Sequence, residues 1–413
     1  MLVLVAGSGA LFATGAMPLV GGGDKVVKVW LMRSSVTNSF VSKFRESYET
    51  EHPGVKLSVT IQDWDGITER VGQALGGTSA DQPDLIEVGN TQVAKYAASG
   101  KVKDLSDKVD ELGGRNWLPG LADPGKIDDK QYGVPFYAAS RVVIYRKDLF
   151  EKAGVEPPRD REEWLEITAK LNKGGTQGIY LPGQNWYVLS GFVWDEGGEL
   201  AVENKNGVWE GALDTPEAMK GMEFYKRLQA LGKGPKDRDE SDPLQTGVLA
   251  HQKVAQMIGV PGQAAETIAE NPRLEDKLAF FPVPGKKEDK PGTVFTGGSD
   301  LIIPSSSDQE DAAYDVLAAL AGEKWQMELA RAMSCAPNKT TLAGEVEDEG
   351  TRTMAESAAN GRATPNSPDW ASVEELQPNP IKAYQTQVLQ GTKPLKQAAK
   401  EAADGISDAL AGG

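Results

Sequence analysis

Apolar and polar residues alternate along the first hundred residues in a way that predicts strands and helices in turn. An apolar run at 25–31 indicates a strand, and Phe40, Phe44 and Tyr48 then recur every fourth residue, which places them on one face of a helix. Residues 55–61 alternate as a second strand, and a second helix and a third short strand follow. This succession predicts a parallel α/β sheet covered on both faces, with any ligand near the carboxyl ends of its strands.

The rest of the chain mixes strands, loops and helices less regularly. An apolar run at 142–145 predicts a strand, and the stretch 180–213, rich in Gly, Trp and Asn, predicts loops and short turns. A long helical pattern at 313–333 is interrupted by Gly322, and residues 381–410 are helical again. A chain of 413 residues is long enough for two or three domains of ordinary size.

The amino-terminal segment 1–23 has no charged side chain, and the first is Asp24. It is long enough to cross a bilayer, but its Gly and Ala content and Pro18 favour the apolar part of a secretory signal. Bacterial lipoprotein signals end in a cysteine, whereas here residues 19–21 are followed by Gly22, so the acylation cysteine is absent. We therefore expect an exported, extracellular protein; the alternative is a buried amino-terminal segment.

Charge and composition exclude several classes of function. There are 44 Lys and Arg against 60 Asp and Glu, a net charge of −16, which repels the phosphate backbone and argues against nucleic-acid binding. One cysteine, Cys335, and two histidines, His52 and His251, exclude an intrachain disulfide, a cysteine-based metal site and an HExxH metalloprotease motif. Glycine-rich nucleotide loops and the G-x-S-x-G nucleophile motif are missing. We expect no cofactor and no metal.

Carboxylates are the remaining candidates for catalysis. Asp63 with Asp65, Asp195 with Glu196, and the run 347–349 could each supply the paired acid and nucleophile of a glycoside hydrolase. A chain with 60 acidic residues contains many accidental pairs, most of them on the solvated surface.

Tryptophan is unusually frequent, with nine residues. Trp30, Trp164 and Trp325 follow strand or helix patterns and are expected in the core. Four others stand beside polar residues and glycine and are expected in loops: Trp64, Trp186, Trp194 and Trp370. Sugar rings present a face of C–H groups and an edge of hydroxyls, so an aromatic ring with a polar rim suits them. A single loop tryptophan is more often structural than functional, but four of them in polar loops favour at least one stacking platform for a sugar.

The order of segments resembles that of the periplasmic or lipid-anchored sugar-binding proteins of ABC importers, the maltose-binding-protein group of extracellular solute-binding proteins. The similarity runs along nearly all of residues 25–410. It is carried by KVVKVWLM, FVSKFRESYETEHPGVKLSV, PDLIEVGNTQVAKYAASGKVKDL, YGVPFYAASRVVIYRKDLFEKAGVEPP, HQKVAQMIGVPGQ, TGGSDLIIPSSSDQEDAAYDVLAAL and the turn APN at 336–338. Each is weak alone, and together in this order they are specific.

The resemblance implies an α/β, two-lobed periplasmic-binding-protein fold with a multi-strand hinge. After the linker at 1–23, the first lobe would combine 24–137 with 294–335, and the second 138–293 with 336–413. Crossings between the lobes are implied near Tyr137, Val294 and Ala336. The implied function is a receptor without enzymatic activity. We expect a monomer on the cell surface that holds an oligosaccharide in its cleft and delivers it to the membrane permease subunits of an ABC importer.

Ligand positions of the family carry over where this sequence matches, namely at the ends of the first three strands, after the first crossing, in the second-lobe aromatic segment, on the return strand and near the carboxyl terminus. These are Arg33, Ser34, Ser35, Trp64 with Asp63 and Asp65, Asn90, Thr91, Tyr137, Arg141, Asn185 with Gln184, Trp186, Gly298, Ser299, Asp300 and Trp370. Two departures matter. Ala139 stands where maltose binders have an acidic residue, and 260–262 lacks the aromatic that many relatives have.

The segments EVGNTQ, TGGSD and ATPNSPDWASVE look most like those of actinobacterial binders of chito-oligosaccharides such as N,N'-diacetylchitobiose. On this basis we expect Trp186 and Trp370 to stack on the sugar, and Asn90, Asp300 and Arg141 to bind its polar groups. As loop residues, the two tryptophans should contribute little to stability. Cellobiose, xylobiose and α-glucosides stay open as ligands. Two other classes also stay open: a secreted glycoside hydrolase, and a receptor of the same fold for a polyamine or iron.

Overall fold

A computed structural model describes residues 25–64, 66–77 and 82–411. The predicted signal segment at 1–23 and the candidate Asp65 lie outside the described residues.

The secondary structure alternates between helices and strands along the whole chain. The strands are β1 (Lys25–Met32), β2 (Val55–Gln62), β3 (Leu85–Gly89), β4 (Lys126–Ile127), β5 (Lys130–Gln131), β6 (Val134–Ser140), β7 (Val142–Arg146), β8 (Ala201–Glu203), β9 (Trp209–Gly211), β10 (Gln256–Gly259), β11 (Leu278–Pro282), β12 (Val294–Ile302), β13 (Ala336–Pro337) and β14 (Gly361–Arg362). The α-helices are α1 (Asn38–Glu51), α2 (Ile67–Gly76), α3 (Val93–Ala98), α4 (Pro119–Ala122), α5 (Lys147–Ala153), α6 (Arg161–Leu171), α7 (Trp186–Asp195), α8 (Pro216–Gln229), α9 (Gln245–His251), α10 (Gly262–Glu270), α11 (Glu310–Leu320), α12 (Glu323–Met333), α13 (Glu349–Ala358), α14 (Trp370–Glu375), α15 (Pro380–Gln390) and α16 (Leu395–Ala411). Short 3-10 helices lie at Asn90–Gln92, Ser106–Lys108, Gly114–Asn116, Pro272–Lys277 and Thr340–Glu345.

The largest sheet has the strand order β13-β6-β12-β3-β1-β2, with β14 beside β12. β1 runs parallel to β2 and β3, so the carboxyl ends of these three strands lie at one edge, as the sequence predicted. β12 runs antiparallel to both β3 and β6. The sheet is therefore parallel at one side and mixed at the other, because two later segments return to it.

A second sheet has the order β10-β7-β11, all antiparallel. β6 ends at Ser140 in the large sheet and β7 begins at Val142 in the small one. The chain therefore passes from one sheet to the other at Arg141.

Two large hydrophobic cores lie on the two sides of this crossing. The first core includes Phe44, Leu301 and Trp325, and the second includes Trp164 and Phe295. β12 contributes to both, with Phe295 in the second core and Leu301 in the first. A strand shared by two cores is the arrangement of a two-lobed protein joined by hinge strands, which confirms the expected fold class.

The helical pattern of the first lobe follows the prediction closely. Thr37 caps α1 by accepting a hydrogen bond from the Phe40 amide at 3.1 Å, and Phe40, Phe44 and Tyr48 are all buried. The predicted interruption at Gly322 is also confirmed, because α11 and α12 are separate helices there.

The prediction of loops around three tryptophans was wrong. Trp186 and Trp194 are the first and ninth residues of α7, Trp370 begins α14, and the three side chains are 4%, 5% and 1% exposed. α7 is apolar on nearly all sides, so its sequence lacks the amphipathic period by which a helix is recognised. The glycines on either side of it therefore led to the prediction of loops. Trp64 alone of the four is exposed, at 36%.

Candidate functional site

The carboxyl ends of β1 and β2 present an exposed pair of charges. Arg33 forms an ion pair and hydrogen bond with Asp63, and both side chains are largely exposed. The guanidinium holds the pKa of the Asp63 carboxyl below its usual value. The indole of Trp64 lies next to this pair along the chain and is also exposed. This end of the sheet thus offers a charged pair beside an aromatic surface.

Asn90, at the end of β3, is buried and already fully occupied as a donor. Its side-chain amide donates to the carbonyl oxygen of Gly120 at 2.9 Å and to that of Thr296 at 3.1 Å, which fixes α4 to β12. Thr91 is half-buried in the following 3-10 turn, which packs against α14. The end of the first-lobe sheet and the carboxyl-terminal segment therefore meet at this turn.

Three predicted hydroxyl ligands belong to a buried network. Ser299 donates to Glu87 at 2.7 Å, and the Ser35 hydroxyl lies 3.2 Å from that of Tyr137. Burial raises the pKa of Glu87 to about 7 although Ser35, Ser299 and the Met32 amide favour its charged form. Burial likewise raises the pKa of Tyr137 well above its usual value. Glu87 was not among the sequence candidates. A lone acidic residue within the apolar strand LIEVG could have indicated a buried carboxylate.

Asp300 and Gly298 also lie within the fold. Asp300 is fully buried, its carboxylate oxygens have no hydrogen-bond partner within the described residues, and burial raises its pKa well above the usual value. Gly298 has φ of +146°, and a Cβ there would clash with the carbonyl oxygen of Tyr137. A glycine is required so that β12 can pair closely with β6.

The second lobe contributes a charged and aromatic group beside the crossing. Arg141 has its guanidinium 5.0 Å from the centre of the Tyr187 ring and 3.6 Å from a carboxylate oxygen of Glu240. Burial lowers the pKa of Arg141, and Glu240 opposes that shift. Tyr187 and Glu240 were not among the sequence candidates, although Tyr187 directly follows two residues that were.

Asn185 and Trp186 hold Tyr187 in place next to Arg141. The Asn185 side-chain oxygen accepts from the Val188 amide at 3.3 Å and so caps α7, while its amide nitrogen has no partner among the described residues. Trp186 packs with its ring centre 4.1 Å from that of Tyr187 and 6.1 Å from that of Phe295. The half-buried ring beside Arg141 is therefore Tyr187, and the fully packed one is Trp186.

Trp370 is linked to Tyr187 through the carboxylate of Glu374. Its Nε1–H donates to Glu374 at 2.8 Å, and burial raises the pKa of Glu374 to about 7. Burial raises the pKa of Tyr187 to about 12, with a further contribution from Glu374. Glu374 therefore lies within electrostatic range of Tyr187, and it too was missed in the sequence.

Strand β12 connects the two sides of the site. Phe295 packs against Tyr187 with ring centres 4.5 Å apart, the Thr296 carbonyl accepts from Asn90, and Ser299 donates to Glu87. The exposed Trp64 and the half-buried Tyr187 are the aromatic candidates for ligand contact, and a charged group lies beside each: the Arg33–Asp63 pair and Arg141.

The carboxylate pair at Asp195 and Glu196 has a structural role. Both form ion pairs with the buried Arg161, at 2.9 and 3.2 Å. The Arg161 guanidinium lies 4.9 Å from the ring of Phe192 and 4.7 Å from that of Phe224. These carboxylates balance a buried cation, which is a different task from the acid and nucleophile of a hydrolase.

Within residues 25–64, 66–77 and 82–411, no three or more His, Cys, Asp or Glu side chains are grouped so that they could hold a metal ion. No helix in these ranges is long and apolar enough to span a membrane.

The fold and the site define a two-lobed α/β ligand-binding protein. The family model for bacterial extracellular solute-binding proteins matches residues 33–327, and the chain belongs to this family, whose members are extracellular or periplasmic. The chain is 36% identical over 377 residues to the diacetylchitobiose binding protein DasA of Streptomyces coelicolor. The matched region covers 91% of this chain and 87% of that protein.

Solved structures show the same fold. The sugar-binding protein MalE from Xanthomonas citri matches with a TM-score of 0.83 and 20% identity, over 94% of this chain and 98% of that one. The GacH receptor of Streptomyces glaucescens matches with a TM-score of 0.74 and 24% identity, over 94% and 99%. At these identities the likeness concerns the architecture.

Proposed function

We propose that this protein is a non-enzymatic receptor for N,N'-diacetylchitobiose or a closely similar β-linked disaccharide, and that it delivers the sugar to an ABC importer. The observation that carries the proposal is the 36% identity with a diacetylchitobiose binding protein along 91% of the chain. The arrangement of Tyr187, with Arg141, Glu240 and Glu374 around it, supports a ligand that has both an apolar face and polar edges.

The lobes are proposed to be 24–137 with 294–335 and 138–293 with 336–413. In support, a single residue, Arg141, separates β6 from β7 of the other sheet, and β12 contributes to both cores. Cys335 packs in the first core while Ala336, the next residue, belongs to a different cluster. Closure of these lobes on the sugar would shift a pre-existing equilibrium by the difference in affinity for the open and closed forms.

Within the site, the residues proposed to touch sugar are Arg33, Ser34, Trp64, Thr91, Arg141, Tyr187, Glu240 and Glu374. Aromatic residues would cover the apolar faces of the rings, and the charged groups would bind hydroxyl and acetamido groups. Ser35, Asn90, Tyr137, Asn185, Trp186, Gly298, Ser299, Asp300 and Trp370 are proposed to support them, because their polar groups are engaged or their side chains buried.

Export to the outer face of the cell, attachment there and a monomeric state belong to the same proposal. A surface receptor must remain soluble while it diffuses between free sugar and the permease, and a net charge of −16 favours solubility.

A thermal-shift screen tests the ligand. N,N'-diacetylchitobiose at a hundred times its dissociation constant should stabilise the folded protein by about 2.7 kcal/mol and raise its melting temperature, because only the folded form binds. Maltose, which lacks acetamido groups, serves as the control, with cellobiose and xylobiose as the competing ligands. Chromatography after prolonged incubation should return the disaccharide intact. A cellobiose shift larger than the diacetylchitobiose shift would reassign the ligand, and cleavage of the bound sugar would favour a hydrolase.

Tyr187→Ala tests the aromatic surface. Loss of the ring should weaken disaccharide binding roughly ten- to a hundredfold, because an aromatic face on a sugar contributes about 1–3 kcal/mol. Calorimetric titration measures the affinity. Tyr314→Ala is the matched control, since Tyr314 is partly buried on α11 in the first lobe, in contact with Lys108. Equal affinity of the Tyr187→Ala and Tyr314→Ala proteins would remove Tyr187 from the site.

A further inference from the structure

Glu87 is a fully buried carboxylate in the middle of β3. Its two oxygens accept hydrogen bonds from the Met32 amide at 2.8 Å and the Ser299 hydroxyl at 2.7 Å, and the nearby Ser35 hydroxyl favours its charged form. Within the described part of the chain, no cation acts on it. Burying a carboxylate with only hydroxyl and amide donors costs free energy of folding, which points to a role for Glu87 other than stability.

The groups that interact with Glu87 lie on two segments next to the proposed ligand site, the end of β1 and strand β12. Met32, the last residue of β1, donates to Glu87, and Ser35, three residues later, favours the charged form of the same carboxylate. Both ends of the segment 33–34 therefore interact with Glu87. Ser34 between them has φ of +67°, a left-handed conformation that a non-glycine residue adopts only when its surroundings hold it there. Ser299 adds the hinge strand β12 to the same carboxylate.

We propose that Glu87 is a positioning residue for sugar binding, whose carboxylate fixes the segment Arg33–Ser35 facing the ligand and ties it to hinge strand β12. This inference rests on the proposed function and deepens it, because Arg33 and Ser34 are among the residues proposed to touch sugar. Glu87 itself is buried and touches no ligand.

The chemistry of the side chain explains why a glutamate is needed. An ionised carboxylate offers these donors only acceptor oxygens, whereas an amide has one acceptor oxygen and must place two donors. The titratable groups that face Glu87 are Tyr137 on β6 and Cys335 before β13. Burial raises the pKa of both above their usual values, so they stay neutral between pH 6 and 8. Glu87, with a pKa of about 7, is the group of this cluster that changes charge in that range.

Asp84, immediately before β3, provides a matched control. Its carboxylate accepts from the Lys28 amide of β1 at 2.9 Å and from the Ser307 hydroxyl at 2.7 Å, which repeats the donor types found at Glu87. It is also buried. Asp84 thus ties β1 to a later segment in the same way, but away from the carboxyl ends of the strands.

The test compares Glu87→Gln, Glu87→Ala, Asp84→Asn and Asp84→Ala by calorimetric titration with N,N'-diacetylchitobiose and by amide hydrogen exchange without sugar. We expect Glu87→Ala to weaken binding by about tenfold or more and Glu87→Gln by less, while both Asp84 variants bind within about twofold of wild type despite lower melting temperatures. Between pH 6 and 8 the affinity of the wild type should rise with pH, because the ionised form holds the segment, and that of Glu87→Gln should stay level.

Hydrogen exchange separates this inference from the identity of the ligand. The amides at 32–36 should lose protection in Glu87→Ala and keep it in Asp84→Ala, whether or not any sugar binds. If the wild type does not bind diacetylchitobiose but this exchange pattern holds, the proposed ligand is wrong and the positioning role stands. Unchanged protection at 32–36 in Glu87→Ala, or its wild-type affinity for the sugar, would overturn the role of Glu87.

Discussion

Replacing Trp370 with alanine is expected to lower the free energy of unfolding by about 3–5 kcal/mol, the usual cost of removing a buried tryptophan. The indole is 1% exposed and packs in the second core together with Val373 and Ile381. Its Nε1–H is also the donor to Glu374, so the substitution leaves a half-buried carboxyl without that partner. Urea unfolding followed by circular dichroism measures the change.

Trp64→Ala is the control for this experiment. Trp64 is 36% exposed, and loss of its ring should change the free energy of unfolding by about 0.5 kcal/mol or less. Both substitutions should weaken sugar binding. Trp64→Ala removes a side chain proposed to touch the sugar, whereas Trp370→Ala acts indirectly through Glu374. Wild-type stability of the Trp370→Ala protein would show that α14 does not depend on the second core.

The free energy of unfolding is also expected to fall as the pH rises from about 4.5 to 7. The folded-state pKa values of Glu87 and Glu374 are both about 7, raised by burial from 4.5. The folded protein therefore binds more protons than the unfolded chain in this range, so the stability is complete below pH 4.5 and is lost as the pH rises through 7. A shift of this size corresponds to about 3 kcal/mol for each group. Asp300, whose pKa is also raised, acts in the same direction.

Groups with lowered pKa values act in a separate window. Lys382 and Ser241 hold the pKa of Asp239 at about 2, so its stabilising contribution is lost only as the pH falls below about 4. Stability should therefore be greatest near pH 4.5–5. In Glu87→Gln the decline between pH 5 and 8 should be smaller by about 3 kcal/mol, since the variant lacks this titration. Identical pH profiles for the two proteins would mean that Glu87 does not titrate in this range.

Much of the fold could be predicted from local patterns. The spacing of Phe40, Phe44 and Tyr48 gave the buried face of α1, and the interruption at Gly322 gave the boundary between α11 and α12. Each of these signals depends on neighbours along the chain, because helix and strand periods repeat within a few residues. The order of segments also predicted the family, which is confirmed.

The candidate site was predicted less well, because exposure depends on contacts between distant segments. Trp186 and Trp370 stand beside polar residues in the sequence, yet each is buried by residues far away along the chain. Tyr187 follows Trp186 directly, and only the direction of α7 decides that Tyr187 meets Arg141 while Trp186 packs inside.

The sequence by itself determined much of the alternation of strands and helices, the family, and the exclusion of an intrachain disulfide, since these follow from composition and short-range order. The tertiary structure decided which polar residues remain accessible. Ser35, Ser299 and Tyr137 are hydroxyl residues suited to a sugar, but the return of β12 beside β3 brings Ser299 to Glu87 and closes a network that also takes up Ser35 and Tyr137. The physical reason is that a buried carboxylate must find donors, and which donors reach it depends on strands more than two hundred residues apart.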